Sequence, residues 1–169
     1  MASLAACTKP KVEPAVPVET APPPAVGPQY PTAPTGPVSG GNVGAPAPGS
    51  EQDFVVNVGD RIYFDLDSYS VRSEAQPRLD AQAAWLARYP QVTVRIEGNA
   101  DERGTREYNL ALGARRAAAT KAFLESRGVS GSRLRTISFG KERPVATCDA
   151  ASCWNQNRRA VTVLTGQGS

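Results

Sequence analysis

Apolar residues recur after residue 50 with two spacings, one typical of strands and one typical of helices. In residues 92–98, VTVRIEG, apolar side chains alternate with polar ones, which predicts a half-buried strand. In residues 73–90 the apolar positions Leu79, Ala83 and Leu86 fall at helical spacing, which predicts a helix that stops at the Tyr-Pro pair ending this range.

The same patterns predict the other elements of a folded domain. Three further strands are predicted at 61–67, 134–140 and 158–164. The longest predicted helix covers residues 105–128, with Thr105 as a suitable N-cap and Gly128 as a suitable C-terminal glycine. Gly113 costs this helix about 1 kcal/mol relative to alanine. A glycine in this place therefore indicates close backbone packing.

This order of elements, β-α-β-α-β-β, predicts an α/β fold of the α+β sandwich kind, in which both helices cover one face of a mixed sheet. Connections of the βαβ type bring the carboxyl ends of their strands together, so we expect Asp65, Asp101 and Arg103 at one sheet edge. Eleven residues, about 16 Å of helix, separate Thr105 from Arg116. A contact between Arg116 and Asp101 therefore requires the intervening loop to fold back over the helix.

Composition divides the chain near Ser50. Twelve of the 15 prolines precede residue 51, and large apolar side chains are scarce there. Such a segment cannot bury enough surface to offset the entropy lost on ordering, so residues 8–50 are predicted to be a disordered, proline-rich tether. Residues 51–169 are long enough to form one folded domain with its own core.

Charge and residue usage exclude several classes of function. The net charge is only +3 and the charges are interleaved, whereas a nucleic-acid-binding surface usually needs a stripe of one sign, so no nucleic-acid partner is expected. The chain has no histidine, which excludes histidine-dependent catalysis and histidine-ligated metals. We expect no metal and no cofactor.

The N-terminus, MASLAAC, ends in a motif that looks like a bacterial lipobox, in which small residues precede the cysteine that receives the lipid. We therefore take residues 1–7 as a lipobox remnant and Cys7 as the lipidation site. The charged and apolar parts of a secretory signal do not precede it, so we expect the motif to belong to a longer precursor. The alternative is an ordinary cysteine in a tail.

Four segments together resemble one known family. The segments are YFDLDSYSVR, IEGNADERGTREYNLALGARRA, SFGKERP and NQNRRA, and the likeness covers residues 54–165. They look like the OmpA-like peptidoglycan-binding domain, and the lipobox remnant and tether make the chain similar to the lipoproteins that carry this domain in Gram-negative bacteria. The resemblance implies a lipid anchor in the inner leaflet of the outer membrane and a domain in the periplasm.

The resemblance also implies a ligand and the residues that bind it. The family holds the meso-diaminopimelate of the peptidoglycan stem peptide, whose side chain ends in an ammonium and a carboxylate. By position in the family motifs, Asp101 would take the ammonium and Arg116 the carboxylate, which matches the forked donors of arginine. Further pocket positions implied by the resemblance are Asp65, Arg103, Leu112, Asn157 and Arg158. The family also implies TolB and the other Tol-Pal components as partners, with a role in envelope constriction during cell division.

Simpler interpretations of these residues stay open. Asp101 could brace its loop through Arg103, and Arg116 could be a surface arginine paired with a nearby acid. Arg158 and Arg159 could be charges that protect an edge strand from aggregation.

The chain departs from the family pattern at three places. Asn99 stands where many members have histidine, and Arg106 where proline is usual. The segment CDAASC introduces Cys148 and Cys153, which we expect to form a disulfide in an oxidising periplasm, although two free thiols are the alternative.

Two other functions compete with the binding module. Asp65 and Asp101 could be a carboxylate pair that hydrolyses glycan, but the neighbouring Arg103 favours an ionised Asp101 over the protonated acid such an enzyme needs. A generic wall anchor without lipid or TolB is the other alternative.

Overall fold

The structure is a computed structural model, and it describes residues 45–166. Cys7 and nearly all of the predicted tether, 8–50, lie outside the described residues. Within them the chain forms α1 (Glu51–Asp53), which continues into a π-helical turn (Phe54–Val58), then β1 (Arg61–Tyr63), α2 (Gln76–Arg88), β2 (Thr93–Asn99), α3 (Arg106–Ser126), β3 (Leu134–Gly140), α4 (Ala151–Asn157) and β4 (Arg159–Gly166).

The four strands form one mixed sheet in the order β1-β4-β2-β3. Strands β2 and β3 are parallel, and β4 runs antiparallel to both β1 and β2. β1 therefore runs in the same direction as β2 and β3, so these three strands end at the same edge of the sheet. The predicted α/β fold with one mixed sheet is confirmed.

Helices α2 and α3 cover the same face of the sheet. Ile96 of β2 lies opposite Thr162 of β4, and the Thr162 hydroxyl donates to the Gln82 side chain of α2. Gly98, two residues after Ile96, lies against Gly113 of α3. The core between these layers is formed by buried apolar side chains, among them Phe54, Ile62, Leu79, Leu86, Val94, Ile96, Leu124 and Leu134.

Helix α3 lies closer to the sheet than side chains would permit. A Cβ atom added to Gly98 would lie 1.8 Å from the carbonyl oxygen of Gly113, and one added to Gly113 would lie 2.8 Å from the carbonyl oxygen of Gly98. The close packing predicted from Gly113 is therefore confirmed. Thr105 caps this helix as predicted, because its hydroxyl accepts from the amide of Tyr108.

Apart from shifts of one or two residues at the ends of helices and strands, four features differ from those predicted. The first strand ends at Tyr63 rather than at residue 67, since the chain turns away from β4 and Asp67 adopts a positive φ of 51°. A 3₁₀ turn, Ser73–Ala75, precedes α2. The helical segment 51–58 and helix α4 are additional to the predicted elements, and both are too short to show a helical periodicity of apolar residues.

Candidate functional site

The edge where β1, β2 and β3 end collects the residues that the sequence analysis singles out. Segments 64–72 and 100–105 leave the sheet there, and the end of α4 enters it as the start of β4. The shared strand direction explains this meeting, because parallel strands present their carboxyl ends together.

Asp101 is buried at this edge and is held by two arginines. It is 5% exposed. Arg103 donates to it three times: from Nη2 to Oδ2 at 2.6 Å, from Nε to Oδ1 at 3.4 Å and from the backbone amide to Oδ1 at 3.2 Å. Arg158 adds a single bond from Nη1 to Oδ2 at 3.1 Å. The bracing of the loop by Asp101 and Arg103 is thus present.

These contacts determine the ionisation of Asp101. Burial raises the pKa of the carboxyl group, but the hydrogen bonds from Arg103 and Arg158 outweigh burial, so the pKa lies below the ordinary aspartate value. Asp101 is therefore a carboxylate at neutral pH. A general acid would need the opposite shift.

Arg116 is completely buried, at 0% exposure. Its guanidinium donates to three backbone carbonyls: Nε to Ser68 at 2.8 Å, Nη1 to Asn99 at 2.8 Å and Nη2 to Asp65 at 3.0 Å. The guanidinium carbon lies 5.3 Å from the centre of the Phe64 ring. The side chain reaches this edge because helical side chains lean toward the N-terminus of their helix, and the loop folds back to meet it.

The charge of Arg116 has no carboxylate in direct contact within the part of the chain that the structure describes, although the negative charges of Asp101 and Asp67 act on it. No carboxylate of residues 45–166 forms an ion pair with it. Burial, and next the positive charge of Arg158, lower the pKa of Arg116 to about 10, so it is still a cation at neutral pH. The interpretation of Arg116 as a surface arginine paired with an acid is wrong.

The other predicted site residues lie at differing distances from this centre. Asp65 contributes its carbonyl to Arg116, whereas its carboxylate is 68% exposed and lies 3.7 Å from Arg72. Leu112 is buried one turn before Arg116 on the same face of α3. The Asn157 amide is used inside the protein: it accepts from the amides of residues 145 and 146 and donates to the carbonyl of residue 146.

Arg158 belongs to the site and not to an exposed edge. Strand β4 lies between β1 and β2, so the interpretation of Arg158 and Arg159 as edge-strand charges is wrong. The Arg158 side chain is 11% exposed, and besides Asp101 it donates to the carbonyl of Phe64 at 3.2 Å.

One residue at the site was missed by the sequence reasoning. The ring of Trp154, on α4, lies 4.0 Å from the guanidinium carbon of Arg103, and its indole N–H donates to a carboxylate oxygen of Glu102. Cys153, the preceding residue, is bonded to Cys148. A tryptophan beside an unusual cysteine pair was the signal that could have found it.

Asp101→Asn is expected to lower the free energy of unfolding by about 2 kcal/mol at pH 7, since the guanidinium groups of two arginines lose the anion that they contact. Because the pKa is depressed in the folded state, this stabilisation is complete above the unfolded aspartate value, near 4, and is lost as pH falls through the lower folded value. Denaturant unfolding of wild type and variant between pH 7 and pH 3 measures it.

The matched control is Asp80→Asn, at an exposed surface pair with Arg127. It is expected to cost less than about 1 kcal/mol. Equal costs at the two positions, or a difference between wild type and Asp101→Asn that persists unchanged at pH 3, would contradict the role given to Asp101.

Residues 45–166 contain no helix long and apolar enough to cross a membrane. Within the same residues no group of three or more histidine, cysteine, aspartate or glutamate side chains could hold a metal ion.

Comparisons with known proteins agree with the geometry. The OmpA family model matches residues 63–158. The peptidoglycan-associated lipoprotein of Rhizobium meliloti is 71% identical over 126 residues, which cover 75% of this chain and 72% of the relative. The protein of the same name from Brucella melitensis is 70% identical over 125 residues, 74% of each chain.

Solved structures show the same fold. The crystal structure of the peptidoglycan-associated lipoprotein from Burkholderia pseudomallei matches with a TM-score of 0.62 and 46% identity, over 63% of this chain and 90% of that one. The C-terminal domain of Helicobacter pylori MotB matches with a TM-score of 0.60 at 21% identity, over 64% of this chain and 85% of that one, a likeness of fold alone. The chain belongs to the OmpA family and, within it, to the peptidoglycan-associated lipoproteins.

Proposed function

We propose that this protein is an outer-membrane lipoprotein that binds, without covalent attachment, the diaminopimelate-containing stem peptide of peptidoglycan. The lipid on Cys7 would hold it in the inner leaflet, and the domain would reach the cell wall from there through the tether. The names of its relatives and its OmpA-family domain support the association with peptidoglycan.

The observation that carries the proposed ligand is the buried charge of Arg116. An ion taken out of water is normally paired, because an uncompensated buried charge is costly. Among the buried or largely buried side chains of this edge, the guanidinium groups of Arg116 and Arg158 outnumber the one carboxylate, that of Asp101, while the other nearby carboxylates are on exposed residues. A ligand carboxylate would compensate the unmatched positive charge.

The ammonium of the ligand would be taken by Asp101. All four hydrogen bonds that this carboxylate accepts are donated by Arg103 and Arg158. The ammonium of the ligand must therefore replace one of these donors. Arg158 holds Asp101 by one hydrogen bond and Arg103 by three, which makes the Arg158 contact the easier one to exchange. The released Arg158 would then face the carboxylate of the same zwitterion.

Entry of the ligand requires movement of segment 65–70. Arg116 has no exposed surface, and the carbonyls of Asp65 and Ser68 cover it. The segment is also held from α3, because the hydroxyl of Tyr108 donates to Asp67 at 3.1 Å. Asp67 itself has a positive φ, which non-glycine residues adopt at a cost.

Tyr108→Phe is expected to tighten stem-peptide binding about two- to fivefold, because it removes one hydrogen bond, worth about 1 kcal/mol, that holds segment 65–70 closed. Calorimetric titration measures the change. Tyr69→Phe, in the same segment, is the control, because the Tyr69 hydroxyl forms no hydrogen bond to another described residue. Unchanged or weaker binding by Tyr108→Phe would show that the bond to Asp67 does not oppose entry.

The glycan-hydrolase alternative is excluded. The chain belongs to a family of non-enzymatic anchors. The lowered pKa of Asp101 also keeps that carboxyl from acting as the acid of such a pair. A generic wall anchor without lipid is less favoured, because the close relatives are lipoproteins by name.

The wider role proposed for the protein is in the Tol-Pal system, with TolB as a partner that competes with the wall for this surface. In that role it would connect the outer membrane to peptidoglycan during envelope constriction and cell division. Competition between the stem peptide and purified TolB of the same bacterium for the full chain tests this part separately, and simultaneous binding of both would contradict it.

The stem peptide itself provides the test of the ligand. The full chain is titrated calorimetrically with a soluble stem peptide that contains meso-diaminopimelate, and with the same peptide carrying lysine. Lysine keeps the ammonium and lacks the carboxylate, so we expect at least tenfold weaker binding. Equal affinities would mean that the buried arginines do not bind the carboxylate of the ligand, and the ligand proposal would fail.

A further inference from the structure

The disulfide between Cys148 and Cys153 has no part in the function proposed so far. It closes the turn that leads into α4, and Cys153 lies in the first turn of that helix. Helix α4 has seven residues, and its N-cap, Ala150, provides no side-chain hydrogen bond. Helices this short are marginal without outside support. The disulfide is a covalent restraint at the end of α4 that lacks a side-chain cap.

Trp154 connects α4 to the candidate binding site by direct contacts. Its ring stacks on Arg103 at 4.0 Å and its indole N–H bonds Glu102, the two residues that follow Asp101. Stacking of a guanidinium on an indole restricts the freedom of the arginine. Arg103 in turn makes three of the four contacts to Asp101.

The other end of the same helix provides the fourth contact. Arg158 follows α4 directly, and its guanidinium bonds Asp101, Phe64 and the side-chain oxygen of Asn155. The positions of both guanidinium groups that contact Asp101 therefore depend on α4. Arg103 depends on it through the Trp154 indole, and Arg158 through the backbone that follows the helix. The N-terminus of α4 is fixed by the disulfide and its C-terminus by the Asn157 bonds.

We propose that Trp154 is a positioning residue for the Asp101 site, and that the Cys148–Cys153 disulfide holds it in place, so that ligand affinity depends on the redox state of this pair. This inference rests on the proposed function, since it concerns the same site. It adds a contribution to ligand affinity from outside the two residues, Asp101 and Arg116, that are proposed to bind the ligand.

The redox step needs a dithiol reductant. The dithiol supplies two electrons and two protons, the sulfur–sulfur bond breaks to give two thiols, and the dithiol closes to its own disulfide. The first turn of α4 is then free to fray, which releases Trp154 from Arg103. The bonds of Asn157 remain, so the domain stays folded and the loss of affinity is partial.

The test measures stem-peptide affinity of the full chain in four forms: oxidised, reduced with dithiothreitol, Cys148→Ser/Cys153→Ser and Trp154→Ala. We expect about three- to tenfold weaker binding in the last three forms. Adding Trp154→Ala to the serine pair is expected to cause little further loss, because both changes remove the same contact. Trp154→Phe, which keeps a stacking face, is expected to restore most of the affinity.

Controls separate this inference from simpler effects. The serine pair keeps Cys7, so its affinity must not respond to the reductant. Thermal unfolding shows whether each variant is folded at the titration temperature. A loss of affinity that follows the loss of thermal stability across the variants would overturn the positioning role.

The possible results distinguish failure of the proposed function from failure of the role given to Trp154 and the disulfide. If the oxidised wild type does not prefer the diaminopimelate peptide, the proposed function fails. If it does, but the reduced protein and Trp154→Ala bind as tightly, the inference is overturned and the function stands. Equal losses in Trp154→Phe and Trp154→Ala would overturn the stacking role of the indole.

Discussion

Replacing Arg116 with alanine is expected to weaken stem-peptide binding by about 100-fold or more and to destabilise the domain by about 3 kcal/mol. The binding loss follows because the guanidinium is the buried partner proposed for the ligand carboxylate, and truncation of a buried charge partner typically costs 2–5 kcal/mol, roughly 30- to 4000-fold. The destabilisation follows because three carbonyls, those of Asp65, Ser68 and Asn99, lose their donor.

Arg116→Lys separates charge from geometry. Lysine keeps the positive charge but presents a single ammonium group in place of the planar fork, so it cannot reach three carbonyls that lie in different directions. We expect it to recover only a small part of the lost affinity and stability. Full recovery by lysine would mean that the site needs only a positive charge, which would contradict the forked recognition proposed for Arg116.

The matched control is the neighbouring Arg115→Ala. Arg115 is exposed on α3, and its guanidinium lies 5.7 Å from the centre of the Tyr69 ring. Its loss is expected to change affinity less than threefold and stability by less than about 0.5 kcal/mol. Affinity is measured calorimetrically on protein shown to be folded by circular dichroism. A loss of affinity in Arg116→Ala that is absent in Arg115→Ala would then be specific to the binding site.

The fold was predictable because its elements are long and periodic. Strand β2 alternates apolar and polar residues and helix α2 repeats apolar residues at helical spacing, whereas α3 is indicated by its length and by the capping chemistry of Thr105. Helix α4 was not predictable in this way. Its seven residues present only one buried side chain, Asn157, which is polar, and the disulfide between Cys148 and Cys153, which the sequence did predict, does not by itself indicate a helix.

The meeting of several candidate residues at one sheet edge was predictable, whereas Trp154 and the bonding within the site were not. Family resemblance and strand direction place Asp101, Arg116 and Arg158 at one edge, where the structure has them. The sequence does not reveal that Arg116 is bound by backbone carbonyls, because carbonyls are common to all residues. For the same reason the internal use of the Asn157 amide could not be foreseen.

The contact between Gly98 and Gly113 connects the fold to this site. It sets the depth at which α3 lies on β2, and one turn after Gly113 the Arg116 side chain reaches back to the carbonyl of Asn99, one residue after Gly98. Any outward displacement of α3 would therefore lengthen the bond between Arg116 and Asn99. The glycines thus serve the site as well as the packing of the core.

Gly98→Ala is expected to destabilise the domain by more than about 4 kcal/mol, enough to unfold much of it. The new methyl group would lie 1.8 Å from the Gly113 oxygen and 2.6 Å from the Gly113 carbonyl carbon. These are backbone atoms in the middle of a helix, so the clash is relieved only by moving α3 off the sheet. Overpacking of a core typically costs 1–3 kcal/mol where side chains can yield, and more where they cannot.

Gly128→Ala provides the control for this prediction. Gly128 has a φ of +90° after the end of α3, and no atom lies within 4 Å of the position that the alanine methyl group would take, so alanine adds backbone strain without a clash. Its expected cost is about 1 kcal/mol. Denaturant unfolding compares the two variants. A cost at Gly98 no larger than that at Gly128 would mean that α3 can shift without penalty, and the argument that this contact fixes the position of Arg116 would then fail as well.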